Sequence, residues 1–220
     1  MKKSLTRSAI YLGKVVIKNR EVTILPKKVR VILITDGDRV AQHVIEEIGT
    51  SLGLRCISAS AGNPTPISGK EIVALLKTVP YDPVLVMFDD RGESSKGLGE
   101  RAMEYVAAHP DIEVLGAVAV ASNTTGINGV VADASVTVSG DIVTNPVDKH
   151  GEIKHGGGNN TRITGDTVDV LNDIEVPVII GVGDIGKMDK ADDIRRGAPI
   201  TKKAIEEVLK RSGVQYGRRT

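Results

Sequence analysis

The sequence is poor in aromatic residues, with four tyrosines, one phenylalanine and no tryptophan among 220 residues. Proteins that bind single-stranded nucleic acid stack its bases on aromatic side chains, and proteins at a membrane interface use Trp and Tyr as anchors. The shortage argues against both modes of binding. We therefore expect no nucleic-acid partner.

Cysteine is almost as scarce, since Cys56 is the only one. An intrachain disulfide is impossible, which fits a reducing compartment, and the apolar neighbours of Cys56 predict a small core residue. No apolar run approaches the ~18 residues of a membrane span. The sequence thus predicts a protein that is soluble or peripherally attached to a membrane.

Charge is unevenly distributed along the chain. Residues 1–28 contain eight Lys and Arg residues and one Glu, whereas the whole chain has a net charge of only +1. A basic arm on a mildly acidic body suggests contact with an anionic surface, and we expect an anionic membrane to be a possible partner of residues 1–28.

Apolar strand patterns alternate with helical patterns through most of the chain. Strands are predicted at 29–35, 54–58, 84–88, 112–121 and 176–180, and amphipathic helices follow the first three. This alternation predicts an α/β fold with an open, mainly parallel sheet in three layers, Rossmann-like or Toprim-like. We assign one domain to 29–213, with a small β-rich or loop insertion at about 126–160, a basic arm at 1–28 and a basic tail at 214–220.

Polar residues follow four of these strands at the point where each ends. Because the carboxyl ends of parallel strands lie at one edge of a sheet, these residues are expected to converge there. They are the candidates for binding a ligand or a partner: Asp36, Asp38, Asn63, Asp89, Asp90, Arg91 and Asn123. Clustered carboxylates beside an Arg suit either a divalent ion or a hydrogen-bonding network.

Two short motifs suggest enzymes. Asp36 and Asp38 resemble the first motif of haloacid-dehalogenase-type phosphatases, where one Asp is the nucleophile and the other the general acid, and Asp184 loosely matches their Mg²⁺ motif. The alternative role for either Asp36 or Asp38 is to cap the helix that follows them. The spacing of Gly181, Gly183 and Gly186 matches the glycine motif of dinucleotide-binding sites. Such sites also need a later strand that ends in an acidic residue, and the sequence shows none.

Six strings, taken in order, carry a family resemblance: ITDGD (34–38), RCISASAGNPT (55–65), VLVMFDDRG (84–92), VAVASNT (118–124), GDIGK (183–187) and GAPIT (197–201). Together they resemble the soluble AE-type stage V sporulation protein of the SpoVA system of spore-forming Firmicutes. The similarity covers roughly residues 29–213.

The resemblance implies a non-catalytic subunit of the machinery that moves calcium dipicolinate into the forespore and releases it during germination. It implies other SpoVA subunits as partners and a place in the forespore or spore, soluble or peripherally attached to the inner membrane. It brings no catalytic residues, cofactor or metal site. The alternative function is a Mg²⁺-dependent phosphohydrolase that uses Asp36 and Asp38.

Overall fold

The computed structural model describes residues 27–90, 96–124, 126–156 and 161–216, together with the backbone of 13–17 and 20–24. Its strands are β1 (Gly13–Ile17), β2 (Arg20–Ile24), β3 (Val29–Ile34), β4 (Arg55–Cys56), β5 (Val84–Met87), β6 (Ile112–Val120), β7 (Ala134–Val136), β8 (Ile142–Val143) and β9 (Ile179–Val182). The helices are α1 (Arg39–Leu52), α2 (Gly69–Leu76), α3 (Leu98–Ala107) and α4 (Pro199–Arg211). Short 3₁₀ turns occur at Ser58–Ser60, Asp169–Asn172, Met188–Lys190 and Ile194–Arg196.

Seven of the strands form one open sheet in the order β4-β5-β3-β6-β9-β7-β8. Every neighbouring pair is parallel except β7 and β8. The predicted fold class, an open and mainly parallel α/β sheet, is therefore confirmed.

The sheet is covered on both faces because its central strands are apolar on both faces. In β5, Leu85 and Met87 belong to the core on one side of the sheet, and Val84 and Val86 belong to the core on the other side. A strand buried on both faces reads as a continuous apolar run, which is the pattern of β5. Helices α1 and α4 pack on the first side, and α2 and α3 pack on the second, which makes three layers.

The connections keep one handedness. From β3 the chain passes through α1, on the first face, to the edge strand β4. It then returns in the opposite direction to β5 and β6 through α2 and α3, on the second face. A reversal of direction with a change of face is what a constant right-handed crossover requires.

Side-chain caps fix where the helices begin. The predicted capping box at the start of α2 is present: the Glu71 N–H donates to Ser68 Oγ at 3.3 Å, and the Ser68 N–H donates to Glu71 Oε2 at 2.8 Å. At the start of α1, Asp38 Oδ1 accepts from the N–H groups of Val40 and Ala41, both at 2.8 Å. These bonds satisfy N–H groups that have no partner within the helix.

Three features differ from the pattern predicted by the sequence. In the segment 126–160, β7 and β8 pair antiparallel as a hairpin would, but β7 also pairs parallel to β9 and so extends the main sheet. The second predicted strand shrinks to the two residues of β4. Strands β1 and β2, within the predicted basic arm, form an antiparallel pair of their own that the charge pattern did not indicate.

No helix in the described part of the chain has both the length and the hydrophobicity needed to cross a bilayer.

Candidate functional site

The order of the strands places a crevice between β3 and β6. These two strands are neighbours, and the chain leaves β3 toward one face of the sheet and β6 toward the other. In open α/β sheets, ligands bind at such a reversal, outside the carboxyl ends of the two strands. A cavity of about 170 Å³ lies there, and we call it the carboxylate cavity; its lining is Thr35, Asp36, Asp38, Asn63, Asp89, Val120, Ala121, Ser122, Asp166, Asp184 and Lys187.

Asp36 is buried at the end of β3, with 9% of its surface exposed. Its Oδ1 accepts a hydrogen bond from the Asp38 N–H at 3.2 Å, which favours the charged form. Burial has the larger effect, and the negative charges of Asp38 and Asp184 act in the same direction, so the pKa of Asp36 rises to about 7.

Asp89 follows β5 and is more deeply buried, with 5% of its surface exposed. Burial raises the pKa of its carboxyl to about 8, helped by the negative charges of Asp36 and Asp166. One hydrogen bond opposes this, from the Gly37 N–H to Asp89 Oδ2 at 3.3 Å. Near neutral pH, therefore, Asp89 keeps most and Asp36 keeps part of the proton that an ordinary aspartate would have lost.

Three loops meet tightly around these carboxyls. The Thr65 hydroxyl accepts from the Asp89 N–H at 2.9 Å, and the Thr65 N–H donates to the Asp89 carbonyl at 2.9 Å. Gly37 lies at the contact, where its carbonyl accepts from the Gly62 N–H at 2.7 Å. A Cβ on Gly37 would lie 3.2 Å from the Cβ of Asp89 and from the Gly62 carbonyl oxygen. A side chain at position 37 would thus push the loops that carry Asp36, Asn63 and Asp89 apart.

A lysine bridges two carboxylates on the more exposed side of the cavity. Lys187 Nζ donates to Asp38 Oδ2 at 3.0 Å and to Asp184 Oδ1 at 2.9 Å. Partial burial opposes the charge on Lys187, but the two carboxylates outweigh it and raise its pKa. Burial alone would likewise raise the pKa of Asp38, but hydrogen bonds from the Ala41 N–H and from Lys187 outweigh it and lower that pKa. Asp38 is therefore the helix cap of the pair, and Asp36 is the buried acid.

The other predicted site residues lie elsewhere. Asp90 turns away from the cavity and caps α3, since its two oxygens accept from the N–H groups of Gly99 at 2.9 Å and Glu100 at 2.8 Å. Asn123 lines a second, neighbouring cavity. Arg91 lies outside the described residues. The structure thus brings together Asp36, Asp38, Asn63 and Asp89, and their role in binding stays a prediction.

Several lining residues were absent from the sequence-based candidates, among them Ser122, Asp166 and Lys187. Ser122 directly precedes Asn123 at the end of β6, and its hydroxyl donates to Asp166 Oδ1 at 3.0 Å. Burial raises the pKa of Asp166, with a contribution from the charge of Asp90. Lys187 follows β9, a strand end where the motifs in the sequence involve the glycines and Asp184 and give no role to the lysine. No local pattern in the sequence pointed to Asp166.

The other reactive side chains and the possible metal ligands give less support for a functional site than the carboxylate cavity does. Burial raises the pKa of the Cys56 thiol to about 12, with a contribution from the charge of Glu46, so the reactive thiolate is scarce at neutral pH. Among the described residues, no group of three or more His, Cys, Asp or Glu side chains is arranged to hold a metal ion.

The fold and the cavity define an open α/β protein with a carboxyl-lined crevice at the reversal of its strand order. Residues 30–212 match the family model SpoVAE, described as stage V sporulation protein AE1. Since the match spans most of the chain, the protein belongs to this family, and it is a sporulation protein of the SpoVA type. The resemblance seen in the sequence is confirmed. Neither the curated proteins nor the solved structures contain a match to the chain.

Proposed function

We propose that this protein is a non-catalytic subunit of the SpoVA machinery that handles calcium dipicolinate, and that it binds this cargo at the carboxylate cavity. The observation that carries the proposal is the pair of buried carboxyls, Asp36 and Asp89, which face one cavity at the reversal of strand order. Burying ionisable groups is costly, and strongly shifted pKa values cluster at functional sites.

The chemistry of the cavity suits a cation that brings ligands of its own. Calcium takes six to eight oxygen ligands, and carboxylates are the commonest that proteins supply. Two protein carboxyls cannot complete such a shell, but the oxygens of a bound dicarboxylate would fill further positions. The cavity, at about 170 Å³, is smaller than the ~300 Å³ at which pockets for drug-sized molecules begin. It would therefore hold the ion and only one edge of the organic anion.

Two features favour binding over catalysis. A general acid must hold its proton at the working pH, yet the pKa of Asp38 is lowered by the Ala41 N–H and by Lys187. A carboxylate nucleophile must be ionised, yet burial raises the pKa of Asp36 to about 7. Neither observation supports a phosphohydrolase.

The family and the charge of the arm support a proposal for the partners and the location of the protein. We propose that other SpoVA subunits are the protein partners and that the protein acts at the inner membrane of the forespore or spore. The eight basic residues among the first 28 would hold it to an anionic membrane surface through charge.

The proposal is tested in spores in which the wild-type gene is replaced by one that encodes the Asp89→Asn variant. Asn keeps the shape of the side chain and removes the proton that a cation must displace. We expect spores with less dipicolinate, or slower release of it during germination, at equal abundance of the protein. Asp141→Asn, at an exposed position outside the cavity, is the matched control. Normal content and normal release in the Asp89→Asn spores would contradict the proposal.

The absence of catalysis is tested on the purified protein with Mg²⁺ and a general phosphomonoester. We expect no turnover above background. Hydrolysis by the wild type that Asp36→Asn abolishes would contradict a purely binding role.

A further inference from the structure

A second cavity, of about 410 Å³, lies beside the carboxylate cavity, and Ser122 lines both. We call it the basic cavity. It is formed by the loop after β6, the turn at 148–151 and the segment that leads to residue 164. Its polar lining includes Asn123, Thr124, Lys149, His150, Lys154 and Thr164. The volume falls within the ~300–1,000 Å³ typical of small-molecule sites.

The two lysines give this cavity a positive charge that its own carboxylate does not cancel. Among the described residues, Lys149 Nζ has neither a hydrogen bond nor an ion pair. Lys154 Nζ donates to the Arg162 carbonyl at 2.9 Å, and the negative charge of Asp148 acts on this lysine. Asp148 also lines the cavity, where its Oδ1 accepts from the N–H groups of His150 at 2.8 Å and Glu152 at 3.0 Å, and its charge offsets only one of the two lysines.

The turn that carries Lys149 is held firmly in place. The Lys149 carbonyl accepts from the Asp184 N–H at 2.8 Å, which ties the turn to the wall of the carboxylate cavity. His150 Nδ1 lies 3.1 Å from Asp189 Oδ2. Asp189 is the middle of three consecutive residues with left-handed backbone, with φ of 42° at Met188, 53° at Asp189 and 72° at Lys190. Such strain in residues other than glycine is found mostly at binding and catalytic sites.

We infer that the basic cavity binds a small organic or inorganic anion with at least two negative charges on carboxylate or phosphate groups. Lys149 and Lys154 supply the charge, and the hydroxyls of Thr124 and Thr164 and the amide of Asn123 supply neutral donors. Charge-assisted hydrogen bonds to such oxygens are among the strongest that proteins make. The inference deepens the proposed function and, for the cargo, rests on it: the anion of the cargo would lie here, beside its cation.

The neighbouring carboxyls do not oppose this arrangement strongly. Burial raises the pKa of Asp36 to about 7 and that of Asp89 to about 8, so both are largely uncharged in mildly acidic solution. Lys187 pairs with both Asp38 and Asp184 and offsets one of their two negative charges. Burial also lowers the pKa of Lys154, and a bound anion would reverse that effect.

The test is calorimetric titration of the full-length protein with dipicolinate and, separately, with inorganic phosphate. We expect the wild type to bind at least one of them and Lys149→Gln and Lys154→Gln each to weaken that binding by about tenfold or more. Lys149→Arg should keep most of the affinity because it keeps the charge. Lys210→Gln is the control, since Lys210 is exposed near the end of α4 and pairs with Glu207.

The outcomes separate this inference from the proposed function. Wild-type affinity for both anions in the two Gln variants, or no binding of either by the wild type at millimolar concentration, overturns the inference. Binding of phosphate alone, lost in Lys149→Gln, supports the basic cavity and contradicts dipicolinate as the cargo. Binding of calcium dipicolinate that Asp89→Asn weakens and the lysine variants leave unchanged supports the cargo and overturns the basic cavity.

Discussion

Replacing Asp89 by Asn should change how the stability of the protein depends on pH. In the folded protein the pKa of Asp89 is about 8, raised by burial and by the charges of Asp36 and Asp166, against an ordinary value of 3.8. Between these two values the folded protein keeps a proton that the unfolded chain has released. The free energy of unfolding therefore falls as pH rises through this range, by about 1.4 kcal/mol per pH unit for one such group.

The size of this change in stability is set by the pH range in which Asp89 is protonated in the folded protein but not in the unfolded chain. From pH 5 to pH 7 the wild type should lose about 3 kcal/mol of stability through Asp89, and Asp89→Asn should lose none through that position. Other carboxyls, such as Asp38 with its lowered pKa, contribute with the opposite sign but are present in both proteins. The difference in stability between variant and wild type reports on Asp89 together with its charge interaction with Asp36. It should shift in favour of the variant as pH rises.

Urea unfolding followed by far-UV circular dichroism at pH 5, 6 and 7 measures this difference. Asp141→Asn serves as the control, because it makes the same substitution at an exposed position outside the carboxylate cavity. Parallel profiles for wild type and Asp89→Asn would refute the reasoning, since they would show that Asp89 titrates in the folded protein as it does in the unfolded chain.

Three further predictions concern helix α3, the lysine bridge and the basic arm. Gly97→Ala should destabilise the protein by about 1–3 kcal/mol in urea unfolding, because the added Cβ would collide with the Asp90 carboxylate that caps α3; unchanged stability would refute the close contact. Lys187→Met should cost about 1 kcal/mol at pH 7 and less once acid protonates Asp38, whose pKa the bridge lowers; a cost that grows on acidification would contradict the bridge. A chain that begins at Val29 should lose co-sedimentation with anionic vesicles, and wild-type binding should weaken at high salt; equal binding by both chains would assign docking to a protein partner.

The architecture could be predicted from the sequence because each central strand is marked by a short apolar run with turn-forming residues at its ends. The continuous apolar run of β5 and the Ser68–Glu71 capping box both have the predicted structure. Asp36 and Asp89 gather in one cavity because parallel strands end at one edge of the sheet. These inferences needed only the period of the apolar residues and the chemistry of the turns.

Local sequence patterns could not distinguish the roles of the adjacent residues Asp89 and Asp90. Asp89 faces the carboxylate cavity, whereas Asp90 caps α3. The difference arises from tight packing against α3: a Cβ on Gly99 would clash with the Asp89 backbone, and one on Gly97 would clash with the Asp90 carboxylate. Such packing joins segments that fold against each other only in the complete structure.

The pairing of strands that are far apart in the chain could not be predicted from the sequence either. The place of β7 beside β9 is set by contacts across more than 40 residues, and Asp166 reaches the cavity from a segment with no strand or regular helix of its own. The roles of Asp36 and Asp38 were left open by the sequence, because either can cap a helix. The backbone geometry at the start of α1 assigns that role to Asp38.

Calorimetry measures whether the carboxylate cavity binds calcium dipicolinate, as we claim. Ca²⁺, dipicolinate and their equimolar mixture are titrated into wild type and Asp89→Asn at pH 7, in buffers with different enthalpies of ionisation. The wild type should bind the mixture with release of protons, because a cation must displace those held by Asp36 and Asp89. The variant should bind more weakly and release fewer protons. No binding at millimolar concentration, or equal affinity and equal proton release in both proteins, would contradict the claim and leave the carboxyls as a structural network between loops.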